Sequence, residues 1–245
     1  MTSESPASCC FTGSLHEHKA QGDIQQIGNF RVYAASPKSD TIPRKAVILL
    51  GDIFSIFPNS QLLADEFARN GYIALLPDLF NGDQISPQDY EAGKVDIKSW
   101  MSRHTVADVS PVVEAMINHL RTTLGVENVA AAGYCFGGKY VVRYLKEGQI
   151  DSGFIAHPSF VTEDELGEIQ KPLSISAAEH DPIFTSKNRH ASEEILIQSK
   201  QPFQINLFSG VSHGFAIRGD LNKPLVQFAK EQAFMQALVW FQHTL

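Results

Sequence analysis

The length, composition and charge of the chain limit what it can be. With 245 residues, 43% of them hydrophobic, the chain is long enough to bury a large core, and we expect one domain over residues 1–245. The net charge of −7 argues against nucleic acid or an anionic membrane surface as the main partner. Residues 1–7 lack the apolar core of a signal peptide, and we predict a soluble, cytoplasmic protein.

The expected state of the cysteines is consistent with a cytoplasmic protein. The three cysteines are expected to be free thiols, because a reducing compartment disfavours disulfides. Cys9 and Cys10 are adjacent near the N-terminus, and we interpret them as unpaired thiols of a docked segment. Palmitoylation or a metal site is the alternative, but no His or Cys follows them at metal-ligand spacing.

Strand-like and helix-like segments alternate along the chain. The continuous apolar run at 46–50 is typical of a strand covered on both faces, and apolar residues recur at helical spacing over 104–124. In chain order, the sequence predicts an antiparallel strand pair in 22–35, a strand at 46–50, a helix at 61–70, a strand at 72–76, a polar excursion at 80–101, a helix at 104–124, a strand from 129 followed by a helix, strands at 154–157 and 173–178, a helix at 191–199, a strand at 203–208 and a closing helix at 224–243.

This alternation predicts an α/β protein with a mostly parallel central sheet and helices on both faces. Ligands of such sheets bind beyond the carboxyl ends of the strands. Residues that carry chemistry are therefore expected directly after strands, and the polar excursion at 80–101 is expected to help shape a pocket there.

A glycine-flanked cysteine joins the strand that starts at 129 to the next helix. The run Gly133-Tyr134-Cys135-Phe136-Gly137 has the spacing of a nucleophile elbow, in which the nucleophile lies on a strained turn. Side chains at either glycine are expected to clash with the crowded backbone. The N-terminus of the following helix would favour a thiolate on Cys135. A buried structural cysteine is the alternative interpretation of this short motif.

An acid and a histidine follow at the ends of later strands. Asp181 comes after the strand at 173–178, and His213 follows the last strand. The order cysteine, acid, histidine is that of an α/β-hydrolase triad, so we predict the α/β-hydrolase fold. The imidazole would take the thiol proton, and the carboxylate would hold the imidazole in the required tautomer. Glu179 is the alternative acid, but an acid inside the strand is expected to point into the packing layers.

Three runs together resemble the dienelactone hydrolase family: Gly-Tyr-Cys-Phe-Gly-Gly at 133–138, Asp-Pro at 181–182, and His-Gly-Phe-Ala-Ile-Arg at 213–218. Cys-Cys-Phe-Thr-Gly at 9–13 resembles the fungal branch of that family. The resemblance covers nearly the whole chain. It implies that Cys135 is the nucleophile, His213 the base and Asp181 the group that orients the base.

The resemblance also implies roles for neighbouring groups. The backbone N–H groups of Ile53 and Phe136 would form the oxyanion hole. Asp52 stands where the family keeps an acid that holds the resting thiol protonated, although the bacterial enzymes have the longer glutamate there. Arg218 matches one of two bacterial arginines that bind a substrate carboxylate, and Asn81 lies where the other is expected. A surface ion pair is the alternative interpretation of Arg218.

The sequence therefore predicts a hydrolase that opens a lactone or cleaves an ester or thioester of a small molecule through an acyl-cysteine. We expect no metal or organic cofactor, and a monomer or homodimer. His157 and Tyr134 are further candidates for the substrate pocket, with a structural histidine as the alternative for His157. A lyase or isomerase that uses the same pocket, a non-catalytic binding module and a thiol redox sensor are the alternative functions.

Overall fold

The structure, a computed structural model, describes residues 19–38 and 43–245. Cys9 and Cys10 lie outside these residues, so the predictions about them stay untested. Within the two described ranges, no helix is long and apolar enough to cross a membrane. The cytoplasmic location stays a prediction.

Strands and helices alternate along the chain, as the sequence predicts. The strands of the described residues are β1 Asp23–Ile27, β2 Phe30–Ala35, β3 Lys45–Leu50, β4 Ile73–Pro77, β5 Asn128–Tyr134, β6 Ser152–Ala156, β7 Leu173–His180 and β8 Phe203–Ser212. The α-helices are α1 Pro58–Arg69, α2 Pro87–Glu91, α3 Ile97–Met101, α4 Val106–Asn118, α5 Gly137–Tyr144, α6 Glu163–Gly167, α7 Ser186–Ser199, α8 Phe215–Arg218 and α9 Pro224–Thr244.

The strands form an eight-stranded sheet in the order β1-β2-β4-β3-β5-β6-β7-β8. The first two pairings in this order, β1 with β2 and β2 with β4, are antiparallel. The remaining pairings are parallel. The predicted antiparallel strand pair and the mostly parallel sheet are both confirmed, and the pair lies at one edge of the sheet. The carboxyl ends of β3 and of β5 to β8 meet at one edge of the sheet.

Both faces of the central strands are buried under helices. Along β3, Ala46, Ile48 and Leu50 pack with α4 and α5, whereas Val47 and Leu49 pack with α1 and α9. Successive side chains of a strand point to opposite faces, so a strand covered on both sides is apolar at every position. This confirms the predicted layers of helices on the two faces of the sheet.

The structure differs from the predicted elements where helices are short or irregular. The sequence does not predict α6 or α8, because five and four residues are too few to show helical periodicity. The helix predicted to reach Leu124 ends at Asn118, and the chain continues in a wider helical turn, His119–Thr123. The polar excursion contains the two short helices α2 and α3, capped by Ser86 and Asp96.

The polar excursion packs against the elbow. The rings of Phe80 and Trp100 lie 4.7 Å apart, and they lie 5.0 and 6.1 Å from the ring of Phe136. His104 adds a further ring contact, 4.4 Å from Trp100. An aromatic cluster therefore covers the residue that follows the predicted nucleophile.

Candidate active site

The elbow has the strained geometry that the glycine spacing predicts. Cys135 has a φ of +52°, which non-glycine residues seldom adopt. A Cβ on Gly137 would lie 1.9 Å from the Leu50 carbonyl oxygen, and a Cβ on Gly133 would lie 2.6 Å from a methyl group of Val141. The predicted clashes are confirmed. The absence of side chains at these two positions lets β5 and α5 meet directly at the cysteine.

Asp181 and His213 are joined at the ends of β7 and β8. His213 Nδ1 lies 3.0 and 2.9 Å from the two carboxylate oxygens of Asp181, and both side chains are fully buried. Asp181 Oδ1 also accepts the N–H groups of Ile183 and Phe184 at 2.8 and 2.9 Å. These two backbone donors fix the carboxylate, which in turn fixes the orientation of the imidazole.

The cysteine interacts with the same imidazole. Burial lowers the pKa of His213, but the Cys135 sulfur and the Asp181 carboxylate outweigh burial and raise the pKa of His213 to about 10. A negative sulfur therefore stabilises a protonated imidazole next to it. The structure thus brings together all three residues of the predicted triad.

Glu179 lies apart from this group. Its carboxylate accepts the Gly210 N–H at 2.7 Å and its side chain is 46% exposed. The expectation that an acid inside the strand would point into the packing layers is wrong, since Glu179 belongs to β7 but is exposed there. The carboxylate that accepts the hydrogen bond of His213 Nδ1 is that of Asp181.

Asp52 and Arg218 form a buried ion pair beside the site. Arg218 Nε lies 2.8 Å from Asp52 Oδ2, and the two side chains are 5% and 1% exposed. The interpretation of Arg218 as part of a surface ion pair is therefore wrong. Burial raises the pKa of Asp52, Arg218 opposes this rise, and a charge on Cys135 adds to it. Asp52 Oδ1 accepts the Phe54 N–H at 3.0 Å.

His157 is a buried imidazole next to His213. The two rings lie 4.9 Å apart, and neither ring nitrogen of His157 has a hydrogen-bond partner among residues 19–38 and 43–245. Burial, followed by the charges of His213 and Arg218, holds the pKa of His157 well below its usual range. His157 is therefore neutral in this environment. Tyr134 packs between Phe154 and His157, at 6.1 and 6.2 Å, and reaches the site through His157.

The segments that carry the predicted oxyanion donors are tied to each other. The Gly137 N–H donates to the Gly51 carbonyl at 3.0 Å, which joins the start of α5 to the loop after β3. Ile53 and Phe136 lie two residues and one residue from this bond, and both are buried. Their N–H groups donate to no backbone carbonyl of a turn or loop in the described residues. Both groups stay candidates for the oxyanion hole.

The sequence matches the model of the dienelactone hydrolase family over residues 30–245. The chain belongs to this family. The resemblance based on the runs at 133–138, 181–182 and 213–218 is thereby confirmed. As a member of a hydrolase family with an intact fold, the protein is a hydrolase.

Three fungal relatives of this dienelactone hydrolase family member match it along most of their length. Hydrolase pyvD of Aspergillus violaceofuscus is 47% identical and covers 100% of this chain and 99% of its own. Hydrolase tropI of Talaromyces stipitatus is 41% identical, over 98% of this chain and 97% of its own. Dienlactone hydrolase 1 of Gibberella moniliformis is 30% identical, over 97% and 93%.

A solved structure confirms the fold of this family member. A putative dienelactone hydrolase of Klebsiella pneumoniae superposes with a TM-score of 0.74, over 91% of this chain and 98% of its own, at 18% identity. The predicted α/β-hydrolase fold is therefore confirmed.

The structure also shows a contact of the sulfur that the sequence does not predict. Ser159 Oγ lies 3.1 Å from Cys135 Sγ. Ser159 follows β6 and belongs to none of the motifs that resemble the family, so neither its spacing nor its neighbours identify it. The only sequence signal was that β6 also ends at the edge of the sheet where the other candidates lie.

Proposed function

We propose that this protein hydrolyses a lactone, ester or thioester of a small molecule through an acyl-cysteine intermediate on Cys135. The observation that carries the proposal is the bond from His213 Nδ1 to both oxygens of Asp181, at 3.0 and 2.9 Å, together with a cysteine at φ +52° on the elbow. This pairing keeps Nε2 available to exchange the thiol proton.

The proposed steps follow from these groups. His213 holds the thiol proton, the Cys135 thiolate attacks the carbonyl carbon, and the carbonyl oxygen gains a negative charge that the N–H groups of Ile53 and Phe136 stabilise. His213 then gives its proton to the leaving oxygen or sulfur as the bond to the carbonyl carbon breaks. Water attacks the acyl-cysteine, His213 removes one of its protons, and the acid leaves as the thiol is restored. The net reaction consumes one water molecule.

Arg218 supports a substrate with a carboxylate or another anionic oxygen. Its Nε pairs with Asp52, but Nη1 and Nη2 have no hydrogen-bond partner in the described residues, although the side chain is only 5% exposed. Buried N–H groups without an acceptor cost free energy, so an anionic ligand oxygen that reaches them is favoured. Because Asp52 already offsets one charge, we expect the preference for acids to be moderate.

The covalent step has a direct test. After a rapid acid quench during turnover of a panel of lactones, esters and thioesters, intact mass should show an acyl adduct, and peptide mapping should place it on Cys135. Cys135→Ala should remove the adduct and lower kcat by several orders of magnitude. As a matched control, the double variant Cys9→Ala/Cys10→Ala should keep the acyl adduct and the kcat of the wild type. Turnover by Cys135→Ala close to that of the wild type would refute the acyl-cysteine.

Substrate charge has a separate test. The kcat/KM of an acidic lactone should exceed that of its neutral methyl ester by about ten- to a hundredfold, which corresponds to a charge-assisted contact of about 1.5–3 kcal/mol. Arg218→Ala should remove most of this preference, and Arg218→Lys should restore part of it, because an ammonium cannot copy the two parallel N–H groups. Equal kcat/KM values for the acid and the ester on the wild type would show that the pocket does not recognise a carboxylate.

The alternative functions give different results in the same panel. A lyase or isomerase would form a product that gains no oxygen from labelled water. A thiol redox sensor would convert none of the lactones, esters and thioesters in the panel, and its free thiol would be oxidised reversibly by dilute peroxide. Incorporation of one oxygen atom from water into the released acid is the result that the proposed hydrolysis requires.

A further inference from the structure

The contact between Ser159 and the sulfur belongs to a short loop that joins β6 to α6, here called the Ser159 loop, residues 157–162. Ser159 is fully buried, and its Oγ lies 3.1 Å from Cys135 Sγ. Its backbone N–H also donates to the Cys135 carbonyl at 2.9 Å. The serine therefore contacts the cysteine through both its main chain and its side chain.

The Ser159 loop is held in an unusual conformation. His157 and Phe160, on either side of Ser159, have φ values of +38° and +60°. Each such conformation costs about 1–3 kcal/mol in a non-glycine residue and persists only where surrounding contacts enforce it. The backbone of His157 is fixed by its N–H, which donates to the Ser176 carbonyl at 2.9 Å.

The helix that follows the cysteine provides the other contacts. Lys139 Nζ donates to the Phe160 carbonyl at 3.1 Å and to both oxygens of Glu165 at 2.7 and 2.9 Å. Pro158 packs so closely on Gly138 that an added Cβ there would lie 3.0 Å from the proline Cβ. Since the elbow and the Ser159 loop share these contacts, the position of the serine hydroxyl relative to the sulfur is fixed.

The direction of the hydrogen bond follows from burial. The Ser159 hydroxyl makes one hydrogen bond within residues 19–38 and 43–245, and its partner is the sulfur. A buried hydroxyl proton without an acceptor costs about 1–3 kcal/mol, whereas a thiol is a weak donor. The favoured arrangement therefore has Ser159 as the donor and Cys135 Sγ as the acceptor, and a negatively charged sulfur accepts much better than a neutral one.

We infer that Ser159 is a further catalytic residue of this site, which donates a hydrogen bond to Cys135 Sγ and stabilises the thiolate before it attacks the substrate. The inference rests on the proposed role of Cys135 as nucleophile. Once the sulfur carries an acyl group, it no longer holds the charge that makes it a good acceptor. The bond is therefore strong in the free enzyme and in the departing thiolate, and weak in the acyl-enzyme.

A measurable consequence is a change in both the amount and the reactivity of the thiolate. Without the Ser159 hydroxyl, less thiolate forms at low pH, but the thiolate that forms is more nucleophilic, since nucleophilicity rises with thiol basicity. A serine that only supports the loop would lower reactivity at every pH. The charged and titratable groups around the sulfur, all of them unchanged in a Ser159 variant, are His213, Asp181, Asp52, Arg218 and His157.

The experiment measures the rate of Cys135 alkylation by iodoacetamide from pH 4 to pH 10, with peptide mass mapping to separate it from Cys9 and Cys10. Ser159→Ala should move the midpoint of the profile about one pH unit upward and make the high-pH plateau about threefold faster. Below the midpoint, alkylation should be about threefold slower, because about tenfold less thiolate is present and each thiolate reacts about threefold faster. Ser192→Ala is the matched control, because it also removes a buried hydroxyl, one that donates to the Asn188 carbonyl at 2.9 Å within α7. Its profile should equal that of the wild type.

The outcomes separate this inference from the proposed function. Overlapping profiles of Ser159→Ala and the wild type, or a uniform decrease at all pH values, would overturn the role of Ser159 even if the acyl-Cys135 adduct forms. If the profile of Ser159→Ala shifts as expected but Cys135→Ala keeps its turnover, the bond to the sulfur stands and the proposed acyl-cysteine mechanism falls.

Discussion

Asp181→Asn is the most informative substitution in this site, because the two carboxylate oxygens accept different sets of hydrogen bonds. Oδ1 accepts the N–H groups of Ile183 and Phe184 as well as that of His213 Nδ1, whereas among the described residues Oδ2 accepts a hydrogen bond only from His213. In the variant, the amide oxygen is expected to stay where the two backbone donors lie. The amide NH₂ then faces His213 Nδ1.

The expected loss of activity follows from that orientation. An NH₂ group that faces Nδ1 forces the imidazole into the tautomer with the proton on Nε2, and this nitrogen can no longer take the thiol proton. The charge that stabilises the imidazolium of His213 is lost as well. We expect kcat to fall by about 10⁴-fold, which corresponds to about 5.5 kcal/mol of activation free energy. The two retained backbone bonds should limit the loss of folding stability to about 1–3 kcal/mol.

The assay compares kcat on one activated ester for the wild type, Asp181→Asn and Glu179→Gln, with thermal unfolding of all three. Glu179→Gln is the matched control, since it makes the same chemical change in an exposed side chain that accepts the Gly210 N–H and lies 3.9 Å from His180 Nε2, away from His213. Its kcat should stay within about threefold of the wild type. A kcat for Asp181→Asn within tenfold of the wild type, or a larger loss for Glu179→Gln, would refute the assignment of Asp181 as the residue that orients His213.

Two further predictions concern stability. In urea unfolding, Gly137→Ala should lower the free energy of unfolding by at least about 3 kcal/mol, because its Cβ would lie 1.9 Å from the Leu50 carbonyl oxygen. The control Gly167→Ala, whose Cβ would make an ordinary contact at 3.7 Å, should leave the free energy of unfolding unchanged or raise it. Burial lowers the pKa of Lys230 to about 7, so between pH 10 and pH 7 the unfolded chain binds a proton that the folded chain does not. The difference in free energy of unfolding, wild type minus Lys230→Met, should therefore fall by up to about 4 kcal/mol as the pH is lowered from 10 to 7. A difference that stays constant over this range would contradict the lowered pKa of Lys230.

Much of the catalytic arrangement could be predicted because its signals are local. The glycines at 133 and 137 mark the strained turn, and their close contacts are those expected from the spacing. Asp181 and His213 follow two neighbouring parallel strands, β7 and β8, and parallel strands bring such residues to one edge. A short motif and a rule of sheet topology were therefore enough to predict that three residues far apart in the sequence lie close together in the fold.

The rest depends on contacts that no local pattern carries. The positive φ values of His157 and Phe160 occur at non-glycine residues, so no glycine in the sequence indicates the turn that places Ser159 next to the Cys135 sulfur. The burial of Arg218 depends on Asp52, which lies after a different strand, and on α8, which is too short to be recognised from periodicity. The prediction for Glu179 was wrong because the sequence of β7 does not indicate that the last two residues of this strand, Glu179 and His180, are exposed.

The hydrogen bond between the Gly137 N–H and the Gly51 carbonyl, 3.0 Å long, has a consequence for how members of this family diverge. It couples the two loops that carry Ile53 and Phe136, so their spacing is set by the backbone and does not depend on the surrounding side chains. The polar excursion at 80–101 is joined to one of these loops through its own backbone, because the Ile85 N–H donates to the Ile53 carbonyl at 3.0 Å. Relatives that keep both backbone bonds are therefore expected to preserve the distance between the Ile53 and Phe136 N–H groups, even where the side chains of the excursion differ.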